Sequence, residues 1–325
     1  MRTSSRLTQH GWLKICMNRS EESRSRSHSR QRREGGLYSY LATPFDAAGN
    51  LCVDVLADYT AAVMRTGVAG VTCVASTCEG PYLSDAERFR VMDVVGKTVA
   101  GRIGLNIGIG ALSTRQAIDH AKRAQDAGAT SLMLEMQQYY PVSFEAARKH
   151  YEAVAAAVPV PIRLYNLPLP TRFDFMPGTI AAMEDIAAIT SVKEASGDVT
   201  RLRDIRALCG DRFRLFCGFH FQVLDGYRMG ADGWEVMTHP LIAPRLVSLV
   251  DLLETDPWSA EASAEYETLL PLFLFFKAYG VPQAIKALSE WSDIDLGPPR
   301  APYAALLPAQ KTRLRTILET LGLLH

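Results

Sequence analysis

The 325 residues balance 35 Lys and Arg against 35 Asp and Glu, but nine bases and three acids in residues 1–34 leave the remainder at −6. A mildly acidic body without a basic stripe argues against nucleic acid as a substrate, and no apolar run reaches the roughly 18–20 residues that span a bilayer. With 48% hydrophobic and 22% charged residues, the chain can bury one large core.

The first segment, residues 1–35, holds the Arg/Ser-rich stretch Ser20–Arg33. It lacks the apolar surface to offset ordering entropy and is expected to be a disordered tail. Three readings stay open for it: a dispensable extension, an Arg/Ser-rich transit peptide, or a tether to nucleic acid or a membrane surface. Glu21, Glu22 and Glu34 count against the transit peptide.

From Leu37 onward short apolar runs alternate with helical stretches, the rhythm of βα units. The predicted strands are Leu37–Ala42, Gly70–Ala75, Ile103–Ile107, Ser131–Glu135, Ile162–Tyr165, Ile189–Lys193, Arg214–Cys217 and Gly233–Met237. Between the third and fourth, Ala117, Ala121 and Ala124 fall at helical spacing, with Ser113 as N-cap and Gly128 as stop. Eight such units predict a (β/α)8 TIM barrel over residues 36–254. An open doubly wound sheet would call for a GxGxxG after its first strand, and none is present. Residues 255–325 read as a C-terminal helical appendix, with Ala260–Phe276, Pro282–Trp291 and Pro308–Leu323 as helices, while Leu246–Leu253 closes the barrel.

Six cysteines are scattered without a paired framework, which predicts reduced thiols in a cytoplasmic protein. Cys73 and Cys78 have no neighbouring histidine, so a zinc site is not expected there.

In a (β/α)8 barrel, catalytic groups project from the C-terminal ends of strands. Alternation along the sixth strand puts Ile189, Ser191 and Lys193 on one face. If that face is inward, Lys193 stands desolvated at the mouth, where a lowered pKa frees some amine to attack a carbonyl. The competing reading is a surface lysine paired with Glu194. Tyr165 ends the fifth strand, either as packing or as a proton shuttle beside such a lysine. Ser76-Thr77-Cys78-Glu79-Gly80 follows the second strand, and its hydroxyls and free N–H groups suit a carboxylate.

Taken together, Ala42-Thr43-Pro44-Phe45, residues 76–88, Ile109-Gly110 with Ser113-Thr114, Tyr139-Tyr140, Tyr165-Asn166 with Pro168, and Val192-Lys193 through Ser196-Gly197-Asp198 carry a resemblance. Over about residues 37–300 the chain resembles the dihydrodipicolinate synthase / N-acetylneuraminate lyase family. The resemblance implies a Schiff base between Lys193 and a 2-keto acid, Tyr165 as proton shuttle with Ser76 as relay, and Thr77 with adjacent amides on the keto-acid carboxylate. Tyr140 matches a tyrosine that reaches a neighbouring subunit's site, implying a homo-oligomer, commonly a dimer or tetramer. Neither a metal nor an organic cofactor is expected, because the lysine is the electron sink.

Some residues depart from the family pattern. Cys78 replaces a loop glycine. Where lysine-pathway synthases carry an arginine that grips the second substrate's carboxylate, this chain has Pro170, with Arg172 two residues later as the candidate substitute. Losing a charge-assisted bond costs on the order of 1.5–3 kcal/mol, which argues against the lysine-pathway activity. Arg163 and Glu235 occupy positions that are usually aliphatic. Arg163 is expected to pair with Glu235 or Glu135 in a polar floor, or to face a helix if the strand register is off by one, and Glu235 is a candidate substrate-binding residue.

The leading expectation is therefore a lyase, aldolase or dehydratase acting on pyruvate or a 2-keto-3-deoxy sugar acid, with a small-molecule aldehyde as partner. The alternative within enzymes is 4-hydroxy-tetrahydrodipicolinate synthase. A non-catalytic keto-acid-binding barrel is the second alternative, disfavoured by the presence of Lys193, Tyr165 and both loop hydroxyls.

Overall fold

A computed structural model describes residues 35–324. The expectations for the Arg/Ser-rich segment fall on residues 1–34 and lie outside this range. Eight parallel strands follow one another round a closed barrel in chain order. They are β1 (Gly36–Tyr40), β2 (Gly70–Cys73), β3 (Gly104–Gly108), β4 (Ser131–Glu135), β5 (Ile162–Asn166), β6 (Ile189–Glu194), β7 (Arg214–Cys217) and β8 (Gly233–Met237). β1 closes the ring on β8 through the register Tyr38–Glu235 and Tyr40–Met237.

The predicted strands are all present, most within one residue at each end, and two C-terminal ends are corrected by two residues. β1 stops at Tyr40, two residues before the expected Ala42, because the chain turns into Leu41-Ala42-Thr43-Pro44. β2 stops at Cys73 because Val74 takes a left-handed backbone with φ +60°. A β-branched residue there is strained, and the strain sits at the root of the loop that carries Ser76 and Thr77. Buried Arg88 braces that loop, donating to Val74 O and Gly108 O at 3.4 Å and to Gly80 O at 3.0 Å.

Several helices start where a serine side chain accepts a free N–H. Ser84 and Glu87 form a reciprocal capping box at the head of Asp85–Val99. Ser113 caps Thr114–Asp126 as expected, and Gly128 just beyond it adopts φ +85°. Leu132, Leu134, Leu164 and Val192 face outward from their strands and are buried beneath this helical layer.

After the barrel-closing helix Ala243–Thr255, the chain forms Ala260–Tyr279, Val281–Leu288 and Pro308–Thr320. These pack in one compact unit with the barrel. Glu79, on the loop after β2, is buried against Lys286 at 2.6 Å and accepts from the Arg300 backbone N–H at 2.7 Å. The C-terminal segment therefore packs against the loop after β2. Among the described residues, no single helix is long and apolar enough to cross a membrane.

Candidate active site

Lys193 is on the inward face of β6, 2% exposed, at the base of a cavity of about 480 Å³ at the barrel mouth. Inward placement follows from the alternation of the strand: Thr190 is exposed, whereas Ser191 and Lys193 face the interior. Gly218 leaves room for the lysine, since a Cβ there would come within 3.1 Å of Lys193 Cε. Burial pushes the ammonium down to about 8, with the Glu235 carboxylate acting in the opposite sense and Arg163 in the same one. At neutral pH roughly a tenth of such a lysine is free amine, enough to attack a carbonyl.

Two tyrosines flank that amine. Lys193 Nζ donates to Tyr40 Oη at 2.7 Å, and Nζ stands 3.9 Å from the Tyr40 ring centroid and 4.4 Å from that of Tyr165. Tyr165 Oη is 3.3 Å from Ser76 Oγ, so hydroxyls of β5 and the β2 loop meet above the lysine. Burial raises both phenols, so each rests protonated and able to donate to oxygen on a tetrahedral intermediate.

Lys193, Tyr165, Ser76 and Thr77 all line this one cavity. Three other sequence-predicted residues do not. Tyr140 is exposed, packed edge-on against Tyr139 at 5.1 Å. Arg172 is exposed with φ +56° at the end of the short helix Pro168–Thr171, where the chain turns, while Pro170 and Thr171 line the cavity in its stead. Glu235 lies off the cavity lining, fully buried in the barrel. Its Oε1 accepts from Thr72 at 2.5 Å and Asn106 at 2.8 Å, and its Oε2 from Arg163 at 2.8 Å. Of the partners expected for Arg163, the structure selects Glu235, and the guanidinium lies 3.6 Å from the Phe216 ring centroid and 4.7 Å from that of Tyr38. The turn at Cys78 is accommodated without a glycine, because the left-handed residues are Val74 and Glu79.

Sequence reasoning missed Tyr40. Extending β1 to Ala42 put the barrel mouth two residues too far along, so the strand-end rule passed over it. Tyr303 and Val281, from the C-terminal segment, also line the cavity and carry no local signal of that position.

The family model described as the dihydrodipicolinate synthetase family matches residues 33–321. The chain is 31% identical over 294 residues to the 4-hydroxy-tetrahydrodipicolinate synthase of Thermosynechococcus vestitus, covering 89% of this chain and 98% of that protein. It is 32% identical over 295 residues to the same-named protein of Synechococcus sp., covering 89% and 94%. A solved structure of a putative dihydrodipicolinate synthetase from Pseudomonas aeruginosa is similar at TM-score 0.85 and 31% identity, covering 88% of this chain and 99% of that one. CdNal from Clostridium difficile, solved in complex with mannosamine, shares the fold at TM-score 0.82 and 24% identity, covering 88% and 98%. The match to the family spans nearly the whole described chain and all eight strands, so the protein belongs to the dihydrodipicolinate synthetase family and is a lyase.

Proposed function

We propose that the protein forms an imine between Lys193 and pyruvate or a related 2-keto acid, and makes or breaks a carbon–carbon bond through the resulting enamine. The observation that carries this reading is the buried lysine with its amine depressed to about 8, held beneath two phenols and a serine. The neutral amine attacks the keto carbon, Tyr165 with Ser76 donates a proton to the departing hydroxyl, and the imine nitrogen then takes up the electron pair. Thr77 and the neighbouring N–H groups are suited to the keto-acid carboxylate. This chemistry calls for neither metal nor organic cofactor, since the protonated imine is itself the sink. Exposed Tyr140 fits a role completed in a homo-oligomer, where it would reach a neighbouring site.

Two readings of the second substrate have support. The names of the relatives favour 4-hydroxy-tetrahydrodipicolinate synthase over an enzyme of 2-keto-3-deoxy sugar acids. The cavity wall supports the sugar acid, because Pro170 lines it where a carboxylate-gripping arginine would serve the synthase and Arg172 lies outside.

The test of the imine is borohydride reduction with pyruvate, followed by intact and peptide mass spectrometry. A pyruvate adduct on Lys193, absent from Lys193→Ala, is expected. Folded wild-type protein that gives no adduct with pyruvate or larger 2-keto acids at mildly alkaline pH would overturn the reading. In the same preparation, turnover of aspartate semialdehyde against 2-keto-3-deoxy sugar acids separates the two second substrates.

A further inference from the structure

At the barrel mouth three chemical groups stand on neighbouring strands. Glu135 is in register with Tyr165 across β4 and β5, and Tyr165 with Lys193 across β5 and β6. Adjacent strands are about 4.8 Å apart, so Glu135 and Lys193 flank Tyr165 at one strand spacing each along the backbone. Glu135 lines the cavity and is 3% exposed. Its Oε1 accepts from Gln137 Nε2 at 2.8 Å, while its buried Oε2 has no hydrogen-bond partner. Space for the carboxyl exists because residue 110 is glycine: a Cβ there would lie 2.4 Å from Glu135 Cδ and Oε1. An unsatisfied buried polar oxygen is costly, and in a cavity wall it is a group left for a ligand to complete.

The rest of the lining narrows what that ligand is. Among the described residues that line the cavity, Lys193 is the only Lys or Arg, and the imine occupies it. A carboxylate on the aldehyde fragment would find no counter-ion and would face Glu135. A hydroxyl would find an acceptor there.

We propose that Glu135 is the general base on the substrate's C4 hydroxyl, and that the substrate is a 4-hydroxylated 2-keto acid whose aldehyde fragment is uncharged. This rests on the imine reading. With the keto acid held as a protonated imine, Glu135 takes the C4 hydroxyl proton and the O–H pair becomes the carbonyl of the leaving aldehyde. The C3–C4 bond breaks, and its pair forms the enamine, neutralising the imine nitrogen. Protonated Glu135 returns the proton to C3, and water then releases pyruvate from Lys193, balancing the water lost on imine formation. No oxidant or reductant is involved. Burial raises the carboxyl above its ordinary range, with Gln137, Arg88 and Lys193 opposing, which moves it toward the pH where a base is efficient.

The test compares wild type with Glu135→Gln in two assays. One is borohydride trapping of pyruvate on Lys193. The other is pyruvate release from 2-keto-3-deoxygluconate, whose aldehyde fragment is neutral, and from 4-hydroxy-2-ketoglutarate, whose fragment is an anion. Trapping is expected to change less than about threefold in the variant, which also shows that the site is folded, while release from 2-keto-3-deoxygluconate falls about 100-fold. Wild type should prefer the neutral-fragment substrate by at least about tenfold in kcat/KM. Release by the variant within about threefold of wild type, or a wild-type preference for the anionic fragment, overturns the proposal with the imine intact. Wild type that traps pyruvate but cleaves neither acid overturns it as well. Wild type that traps no keto acid fails at the earlier reading instead.

Discussion

The floor and the mouth of the barrel are both buried and both polar, yet their hydrogen-bonding capacity is filled differently. At the floor, Glu235 takes bonds from Thr72, Asn106 and Arg163, Arg163 also donates to Ser191 at 3.1 Å, and aromatic rings lie against the rest of the guanidinium. At the mouth, Lys193 donates to Tyr40 and one Glu135 oxygen has no partner. A closed network offers nothing to a ligand and fixes a unique core, whereas open valence on preorganised groups is what a substrate completes. The difference separates structural charge from chemical charge among residues that look alike in sequence.

The largest effect should come from breaking the floor. Arg163→Leu leaves Glu235 as an uncompensated buried charge and should cost about 3–5 kcal/mol, read as a lower urea midpoint. Arg163→Leu with Glu235→Leu should lose distinctly less, and equal losses would show that the two do not form a unit. At the mouth, Tyr40→Phe keeps the ring but removes the hydroxyl that Lys193 donates to. Imine trapping should slow about tenfold with a stability change near 1 kcal/mol, and trapping at the wild-type rate would strip Tyr40 of a role. The smallest effect links the two regions. The Glu235 carboxylate favours the charged form of Lys193, so Glu235→Gln lets the proton leave at lower pH. The midpoint of trapping against pH should therefore move from about 8 toward acid, by less than about one pH unit, and a midpoint that rises would contradict the sign of this coupling.

The barrel was legible because its signal is local and repeated: β4, β7 and β8 coincide with their predicted spans, and Ser113 and Gly128 bound their helix as caps should. Lys193, Tyr165, Ser76 and Thr77 were legible because they are strand-end groups inside a family pattern. The Arg163–Glu235 pair was legible as one of three readings, beside Glu135 and a helix-facing register, since period-two alternation does not say which strand across the barrel supplies a partner. Tyr40 was lost to a two-residue error in where β1 ends, caused by apolar Leu41 and Ala42 continuing the run beyond the ladder. Arg172 illustrates the opposite error. Its charge suited the task, but the residue caps a short helix with a left-handed turn while its neighbours Thr171 and Phe173 are the ones buried.

The clamp on Glu79 also has a consequence for the order in which the protein is made. Lys193 and all eight strands are translated before Lys286 and Arg300, which hold Glu79 and stand 4.5 and 4.0 Å from the Phe45 ring centroid. At roughly 5–20 residues per second the ribosome supplies these two partners several seconds after the lysine. A nascent chain, or one truncated before residue 286, thus carries the reactive amine beside a loop whose buried carboxylate lacks the Lys286 ammonium. Synthesis of the segment that carries Lys286 and Arg300 and locking of the loop after β2 are therefore coupled.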